Sequence, residues 1–324
     1  MNTINWGIIG AGDVAEVKSG PAFQKTENSE LLAVMRRDGK KAADFAERHQ
    51  VPHWYDDARE LLENAEINSV YIATPPQSHL DYALMALQAG KNVYLEKPMA
   101  LSAKEAKQIA AAVRKSPGKL TVAHYRRRLP AFMKVKELVG NGAVGDIRFA
   151  DLKILQSKKS DIIAETDENW RLNPRISGGG YFHDLAPHQL DMMYYLFGDF
   201  EAFSGLSNSQ NDDYEADDLV SGVIAFKNGV QFNGLWCFSV AENDKKDACI
   251  IYGSEGTIEF SFYGEKVTVY HEDTTEQFEF QNPKHVQQPM IEATVAYFLG
   301  NAENPCTAEE GVKVMGLMDG FTGK

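Results

Sequence analysis

Ile4-Asn-Trp-Gly-Ile-Ile-Gly10-Ala-Gly12-Asp13-Val14-Ala15 is a short apolar run carried straight into the pattern G-x-G-x-x-A. An apolar run of this length reads as a buried strand, and the glycines after it as a tight strand-to-helix turn. Gly10 permits the turn, Gly12 lets a diphosphate approach the backbone, and Ala15 is small enough for helix and strand to pack closely. The N–H groups of the helix start would then face phosphate oxygens. Any tight turn of this kind favours glycine, so the motif alone leaves its purpose open. Its position at the first strand of an alternating half favours dinucleotide binding, with Gly10, Gly12, Asp13 and Val14 as the cradle.

Outward from this turn, residues 1–124 alternate strand-like runs (4–9, 31–35, 70–73, 93–95, 120–123) with helix-like segments (40–49, 57–64, 78–89, 102–115). Ser102-Ala-Lys-Glu105 is a capping box, and Gly90 stands where a helix should stop. Alternation of this kind predicts a doubly wound parallel sheet. From about residue 145 the pattern turns β-rich, with strands at 146–155, 219–226, 230–240, 248–252, 257–262 and 267–271. Lys227-Asn228-Gly229 reads as a hairpin turn, Asn and Gly both accepting positive φ. The expectation is α/β: a dinucleotide-binding domain over 1–124, then an α/β domain over 125–324 with a large open, mostly antiparallel sheet. Helices near 288–299 and 308–321 close it and pack back on the first domain.

An acidic residue commonly follows the glycine turn by about 20 residues and accepts from the ribose 2′-OH of NAD. Here the second strand runs into Arg36-Arg37-Asp38, and two guanidiniums suit the 2′-phosphate of NADP. NADP is therefore expected over NAD, with two alternatives open: a solvated arginine pair, or Asp38 taking the carboxylate role. Lys18-Ser-Gly-Pro21 interrupts the helix after the turn, so its main part is expected near Pro21, which leaves the role of Lys18 undecided.

A net charge of −13, from 33 Lys+Arg and 46 Asp+Glu, has the wrong sign for wrapping nucleic acid or anionic lipid. Cys237, Cys249 and Cys306 are too few and too far apart for a disulfide framework or a paired-thiolate zinc site; they are read as reduced packing residues. No basic leader precedes an apolar segment, and no apolar run approaches the roughly 20 residues of a membrane span, so a cytoplasmic location is expected.

Three further segments are specific: Thr74-Pro75-Pro76-Gln-Ser-His79; Glu96-Lys97-Pro98; and Gly178-Gly-Gly-Tyr-Phe-His183-Asp184-Leu-Ala186-Pro-His188-Gln-Leu-Asp191. With the glycine turn they resemble, over essentially the whole chain, the glucose-fructose oxidoreductase/inositol dehydrogenase (Gfo/Idh/MocA) family. The resemblance implies a Rossmann domain followed by an open-sheet domain. It puts Thr74, Pro75, Pro76, His79, Glu96 and Lys97 beside the cofactor, often with a cis Lys–Pro bond, and makes Lys97, Asp184 and His188 catalytic. Arg126, Trp170 and Arg171 join Lys97, Asp184 and His188 as substrate-pocket candidates. Ala186 stands where many relatives have glycine. Read from the residues alone, Asp184, His188 and Asp191 share one helix face, and His183, Asp184, His188 and Asp191 offer a metal-site alternative that nothing else in the chain supports.

The resemblance implies hydride transfer between a nicotinamide and a secondary alcohol or carbonyl of a sugar, polyol or related carbohydrate, with no metal. His188 would act as acid and base, Asp184 would orient it or hold a hydroxyl, and Lys97 would stabilise alkoxide charge. It also implies a homodimer or homotetramer formed through the second sheet. Two alternatives stand beside it: glycoside hydrolysis by transient oxidation on a bound NAD, and a cofactor-sensing regulator without chemistry.

Overall fold

Strands apolar on both faces belong in a parallel sheet covered on both sides by helices, and the first sheet has this character. The computed structural model describes residues 2–12, 15–158, 162, 169–210 and 215–324, without the side chains of Val17 and Lys18. Its first sheet joins β1 (Ile4–Ile9), β2 (Ser29–Met35), β3 (His53–Tyr55), β4 (Ser69–Ile72), β5 (Asn92–Leu95) and β6 (Leu120–Val122) in the order β3-β2-β1-β4-β5-β6. Every pairing is parallel. This is the doubly wound order whose switch point lies between β1 and β4.

Helices α1 (Gly20–Lys25), α2 (Gly39–His49), α3 (Ala58–Glu63), α4 (His79–Gln88) and α5 (Ala103–Val113) connect these strands. A π-helical turn over Ala15–Ser19 precedes α1, so the regular helix begins at Gly20 and Pro21 falls in its first turn, where the missing N–H costs nothing. Ser102 Oγ accepts from Glu105 N at 3.3 Å, while the Glu105 carboxylate reaches the N–H of Leu101, one residue earlier than a standard capping box would have it. β3 was not expected: His53-Trp54-Tyr55 is an exposed edge without an apolar run.

The chain divides into two compact units, one of Met1–Arg126 with Pro283–Met315, the other of Arg127–Asn282 with Gly316–Lys324. In the first, Trp6, Phe23, Tyr71 and Tyr94 form one aromatic core, completed by Phe298 of α9 (Gln288–Leu299), 5.8 Å from Trp6.

The second unit contains α6 (Pro130–Gly140), α7 (Pro174–Ser177), α8 (Gly180–Phe197) and an eight-stranded sheet; the last helix, α10 (Ala308–Thr322), begins in the first unit and ends in the second. The strands are β7 (Ile147–Leu155), β8 (Phe200–Asn208), β9 (Leu219–Phe226), β10 (Gln231–Cys237), β11 (Lys246–Gly253), β12 (Thr257–Phe260), β13 (Lys266–Tyr270) and β14 (Thr275–Glu279), ordered β14-β13-β12-β11-β7-β10-β9-β8. Only β7 and β10 pair in parallel; the others are antiparallel. The register puts Tyr270, Tyr252, Phe149, Val223 and Leu206 on one face, and all but the half-buried Tyr252 are exposed. The opposite face buries Val269, Ile258, Ile251, Phe232 and Ile224. In the β9–β10 hairpin only Gly229 takes a positive φ (88°), correcting the expectation for Asn228. Asn228 instead accepts from Val230 N at 3.2 Å through its side chain.

Helix α8 is buried on almost every side and packs on β10, with the Phe182 and Trp236 rings edge-to-face at 5.2 Å. His183 Nδ1 donates to the Gly179 carbonyl at 3.2 Å, and burial, reinforced by the Lys324 ammonium, pushes its pKa down to about 3. Between the ordinary value near 6.5 and about 3, the unfolded chain takes up a proton that the folded ring refuses, so acidification favours unfolding. At pH 5 this amounts to about 2 kcal/mol. Urea denaturation at pH 7 and pH 5 is expected to show the parent losing about that much more stability over the interval than His183→Gln; equal losses would contradict the burial effect.

Candidate active site

The carboxyl ends of the parallel strands gather the first half of the expected site. Gly10 turns at φ 99°, and its N–H and that of Ala11 both donate to the Met35 carbonyl at the end of β2. A Cβ on Gly10 would stand 2.8 Å from both the backbone nitrogen and Cγ2 of Thr74, so the turn after β1 lies directly against the loop after β4. At Gly12 a Cβ would meet nothing within 4 Å among the described residues. As far as the described residues go, that glycine is open, which is what close approach of a ligand to the backbone requires. The Thr74 hydroxyl is buried and finds no hydrogen-bond partner among the described residues. An orphaned hydroxyl beside an open glycine turn fits a dinucleotide held at this edge.

Arg36, half-buried just past β2, donates from Nη1 to the Ala11 carbonyl at 3.3 Å, so its guanidinium lies beside the glycine turn. Arg37 is exposed and lines a cleft of about 280 Å³ with Met35, Arg59, Tyr82 and Met85. Asp38 caps α2, accepting from the N–H groups of Lys40 and Lys41. Asp13 and Val14 lie outside the described residues, as does the side chain of Lys18.

The loops after β4 and β5 are tied together. Pro75 is half-buried, Pro76 is buried, and His79 at the start of α4 is fully buried. The His79 ring lies between the Pro98 carbonyl, 2.9 Å from Nδ1, and the Thr74 carbonyl, 2.8 Å from Nε2. Burial lowers its pKa, and the neutral ring has one N–H to share between the two carbonyls. This places His79 as a brace between loops. The Lys97–Pro98 peptide is cis. Glu96 is buried, and its carboxylate accepts from Tyr71 Oη and Gln287 Nε2, both at 2.5 Å, and from Lys97 N at 3.1 Å. Burial and the nearby Glu96 charge push the Tyr71 and Tyr94 phenols well above their usual range, so both act as neutral donors.

In the second unit, Asp184 and His188 stand one turn apart on α8, and His188 is buried. Asp184 accepts from Arg171 Nε at 2.9 Å, and the Arg171 guanidinium stacks 4.5 Å from the Trp170 ring centroid, so three of the expected residues meet here. Asp191 is held by Arg127, with Nε donating to both oxygens and Nη2 to Oδ1 at 2.7 Å, both side chains almost inaccessible. Each carboxylate of the metal-site alternative therefore has a guanidinium partner. Arg126 is buried over the Tyr125 ring, 5.5 Å away, and Ala186 is fully buried. The three cysteines are free thiols, all buried. Arg127 and Gln287 were not anticipated. Arg127 was one of three consecutive arginines, and Gln287 has no local signal, its partner Glu96 lying 191 residues away.

Two family models match the chain: an oxidoreductase family with an NAD-binding Rossmann fold over residues 4–124, and a GFO/IDH/MocA C-terminal domain over residues 132–259. The chain belongs to the GFO/IDH/MocA oxidoreductase family. Among GFO/IDH/MocA relatives, Oxidoreductase P35 of Formosa agariphila is 53% identical over 320 residues, covering 99% of this chain and 98% of that protein. Levoglucosan dehydrogenase of Pseudarthrobacter phenanthrenivorans is 26% identical over 297 residues, covering 81% and 74%. A solved levoglucosan dehydrogenase complex with NADH and L-sorbose superposes with a TM-score of 0.87 at 22% identity, covering 98% and 96%, which supports the shared fold. Among the described residues, no helix is long and apolar enough to cross a membrane.

The two glycines separate folding from binding. Gly12→Ala is expected to leave stability within about 0.5 kcal/mol while weakening dinucleotide binding about tenfold or more, read by NADPH fluorescence titration. Gly10→Ala is expected to destabilise by about 1–3 kcal/mol, since it adds both strain and a clash. Undiminished binding by Gly12→Ala would remove that residue from the cradle.

Proposed function

We propose that the protein transfers a hydride between NAD(P) and a secondary alcohol or carbonyl of a sugar, polyol or related carbohydrate, with NADP preferred. The observation that carries this reading is the position of Lys97: it follows β5 at the carboxyl edge where the glycine turn and the orphaned Thr74 hydroxyl lie, with its N–H held by Glu96. The nicotinamide, when bound, supplies the hydride acceptor or donor. The chain's own residues handle the proton and the charge. Lys97 stabilises negative charge on the reacting oxygen. His188 takes or returns the hydroxyl proton, while His183, on the same helix, is held neutral and turned to Gly179. Asp184, paired with Arg171, and Trp170 beside it supply polar and aromatic surface for a polyol, and Arg126 is the further candidate for substrate contact. Gly10, Gly12, Asp13, Val14, Arg36, Arg37, Thr74, Pro75, Pro76 and Glu96 serve the cofactor.

Arg36 beside the glycine turn, with Asp38 engaged as a helix cap, supports NADP over NAD. Relatives named levoglucosan dehydrogenase and 1,5-anhydro-D-fructose reductase support a carbohydrate substrate. The exposed apolar face of the second sheet supports assembly into a homodimer or homotetramer, and a cytoplasmic location completes the proposal. Neither the hydrolase nor the sensor alternative gains an observation.

Titration of cofactor-stripped protein is expected to show NADPH binding at least tenfold tighter than NADH. Arg36→Ala should weaken NADPH about tenfold or more, the worth of a charge-assisted contact, and leave NADH within about threefold; a parent preference for NADH would overturn the NADP assignment. In a panel of aldoses, ketoses and anhydro sugars, Lys97→Met should lower turnover on the best substrate by about 100-fold or more. Dinucleotide affinity should be nearly unchanged, and parent-like turnover would remove Lys97 from the chemistry.

A further inference from the structure

We propose that Gln287 is a positioning residue for Lys97, acting through Glu96. Gln287 immediately precedes α9 and is almost completely buried. Its amide has a defined orientation: Oε1 accepts from Tyr94 Oη at 3.1 Å, while Nε2 donates to Glu96 Oε1 at 2.5 Å and contacts Tyr71 Oη at 3.3 Å. Glu96 spends one oxygen on these side chains and the other on the N–H of Lys97. No cation pairs with Glu96 among the described residues, so neutral donors carry the whole stabilisation of a buried carboxylate.

The consequence concerns the backbone at residue 97. Glu96 holds the Lys97 N–H only while its carboxylate keeps one rotamer, and two donors fix that rotamer, one from β4 and one from the segment before α9. Tyr71 is built into the sheet. Gln287 comes from a distant part of the chain, Pro283–Met315, that returns to this unit with α9 and the start of α10. Without it, the Glu96 oxygen facing Lys97 is free to rotate away, and the start of the Lys97 side chain moves with the peptide. Tyr71 from β4 and Tyr94 from β5 bond to this pair, and the Glu96 charge acts on His79 at the start of α4.

This inference rests on the reading of Lys97 as catalytic, and the test separates the two. Gln287→Leu removes the side chain's hydrogen bonds to Glu96, Tyr71 and Tyr94 at similar volume; Gln287→Glu keeps the shape but sets a second carboxylate against Glu96. The first readout is amide hydrogen exchange at Lys97 in the substrate-free protein, expected to quicken about tenfold or more in Gln287→Leu while the β5 amides stay protected. The second is turnover on the panel sugar best used by the parent. It should fall about tenfold or more, with NADPH affinity within about threefold. For Gln287→Glu, turnover should recover as pH falls and the carboxyl pair shares a proton. This variant keeps the inference testable if Gln287→Leu does not fold. Unchanged Lys97 exchange, or a pH profile of Gln287→Glu parallel to that of the parent, would overturn the inference. Parent-like turnover of Lys97→Met would instead overturn the catalytic reading, leaving the exchange result intact.

Discussion

The parallel pairing of β1 with β4, Trp6 opposite Ser69 through Ile9 opposite Ile72, is the constraint on which the site depends. Because the strands end in register, the chain must turn at residue 10 against the backbone of residues 73–74, and only glycine fits. The β4–β5 pairing, Ser69 opposite Asn92 through Ile72 opposite Leu95, carries the same edge one strand further, to Glu96 and Lys97. Three loops distant in sequence thus share one edge because their strands are held in register. The arrangement leaves a buried hydroxyl at Thr74 and open space at Gly12, features that cost folding energy or contribute none to it. Sites where the fold tolerates such costs are where ligands are expected.

Buried charge is managed differently in the two units. Around α8, carboxylates meet guanidiniums: Asp191 is gripped by Arg127 through two nitrogens, Asp184 by Arg171 through one. Breaking such a buried pair by removing one partner typically costs about 3–5 kcal/mol, since the survivor is left uncompensated. In the first unit, Glu96 is met by neutral donors alone among the described residues, so its position answers to hydrogen-bond geometry. A network of this kind fixes a single conformation when complete and loosens when any member is lost.

The sequence was legible where burial dictated pattern. Ile4–Ile9 and the other interior strands of the first sheet are apolar on both faces, and their runs announce them. All three strands that went unanticipated, β3, β8 and β14, are sheet edges. Their residues are largely exposed, so no apolar period marks them, and tertiary pairing alone makes them strands. The site divides in the same way. The glycine turn and the Glu96-Lys97-Pro98 loop are contiguous and could be read, as could Asp184 and His188, one helical turn apart. The partners that fix them, Gln287 for Glu96 and Arg127 for Asp191, are polar residues whose meaning exists only once the chain has folded.

The same distinction sorts the two histidines of α8. The resemblance gives His188 the acid–base role and leaves His183, five residues earlier on a helix beginning with glycines, only in the metal-site alternative. The fold separates them by environment. His183 lies under the helix start, its Nδ1 proton given to the Gly179 carbonyl, and a side chain at position 179 would collide with its ring. Desolvation and the Lys324 ammonium make its protonated form inaccessible at any pH where the protein would be expected to work. A histidine that cannot take a proton cannot serve as a base, which excludes His183 and accords with the role proposed for His188, one turn beyond Asp184 and its Arg171 partner. What removes His183 is desolvation together with the Lys324 ammonium, an environment that no motif encodes.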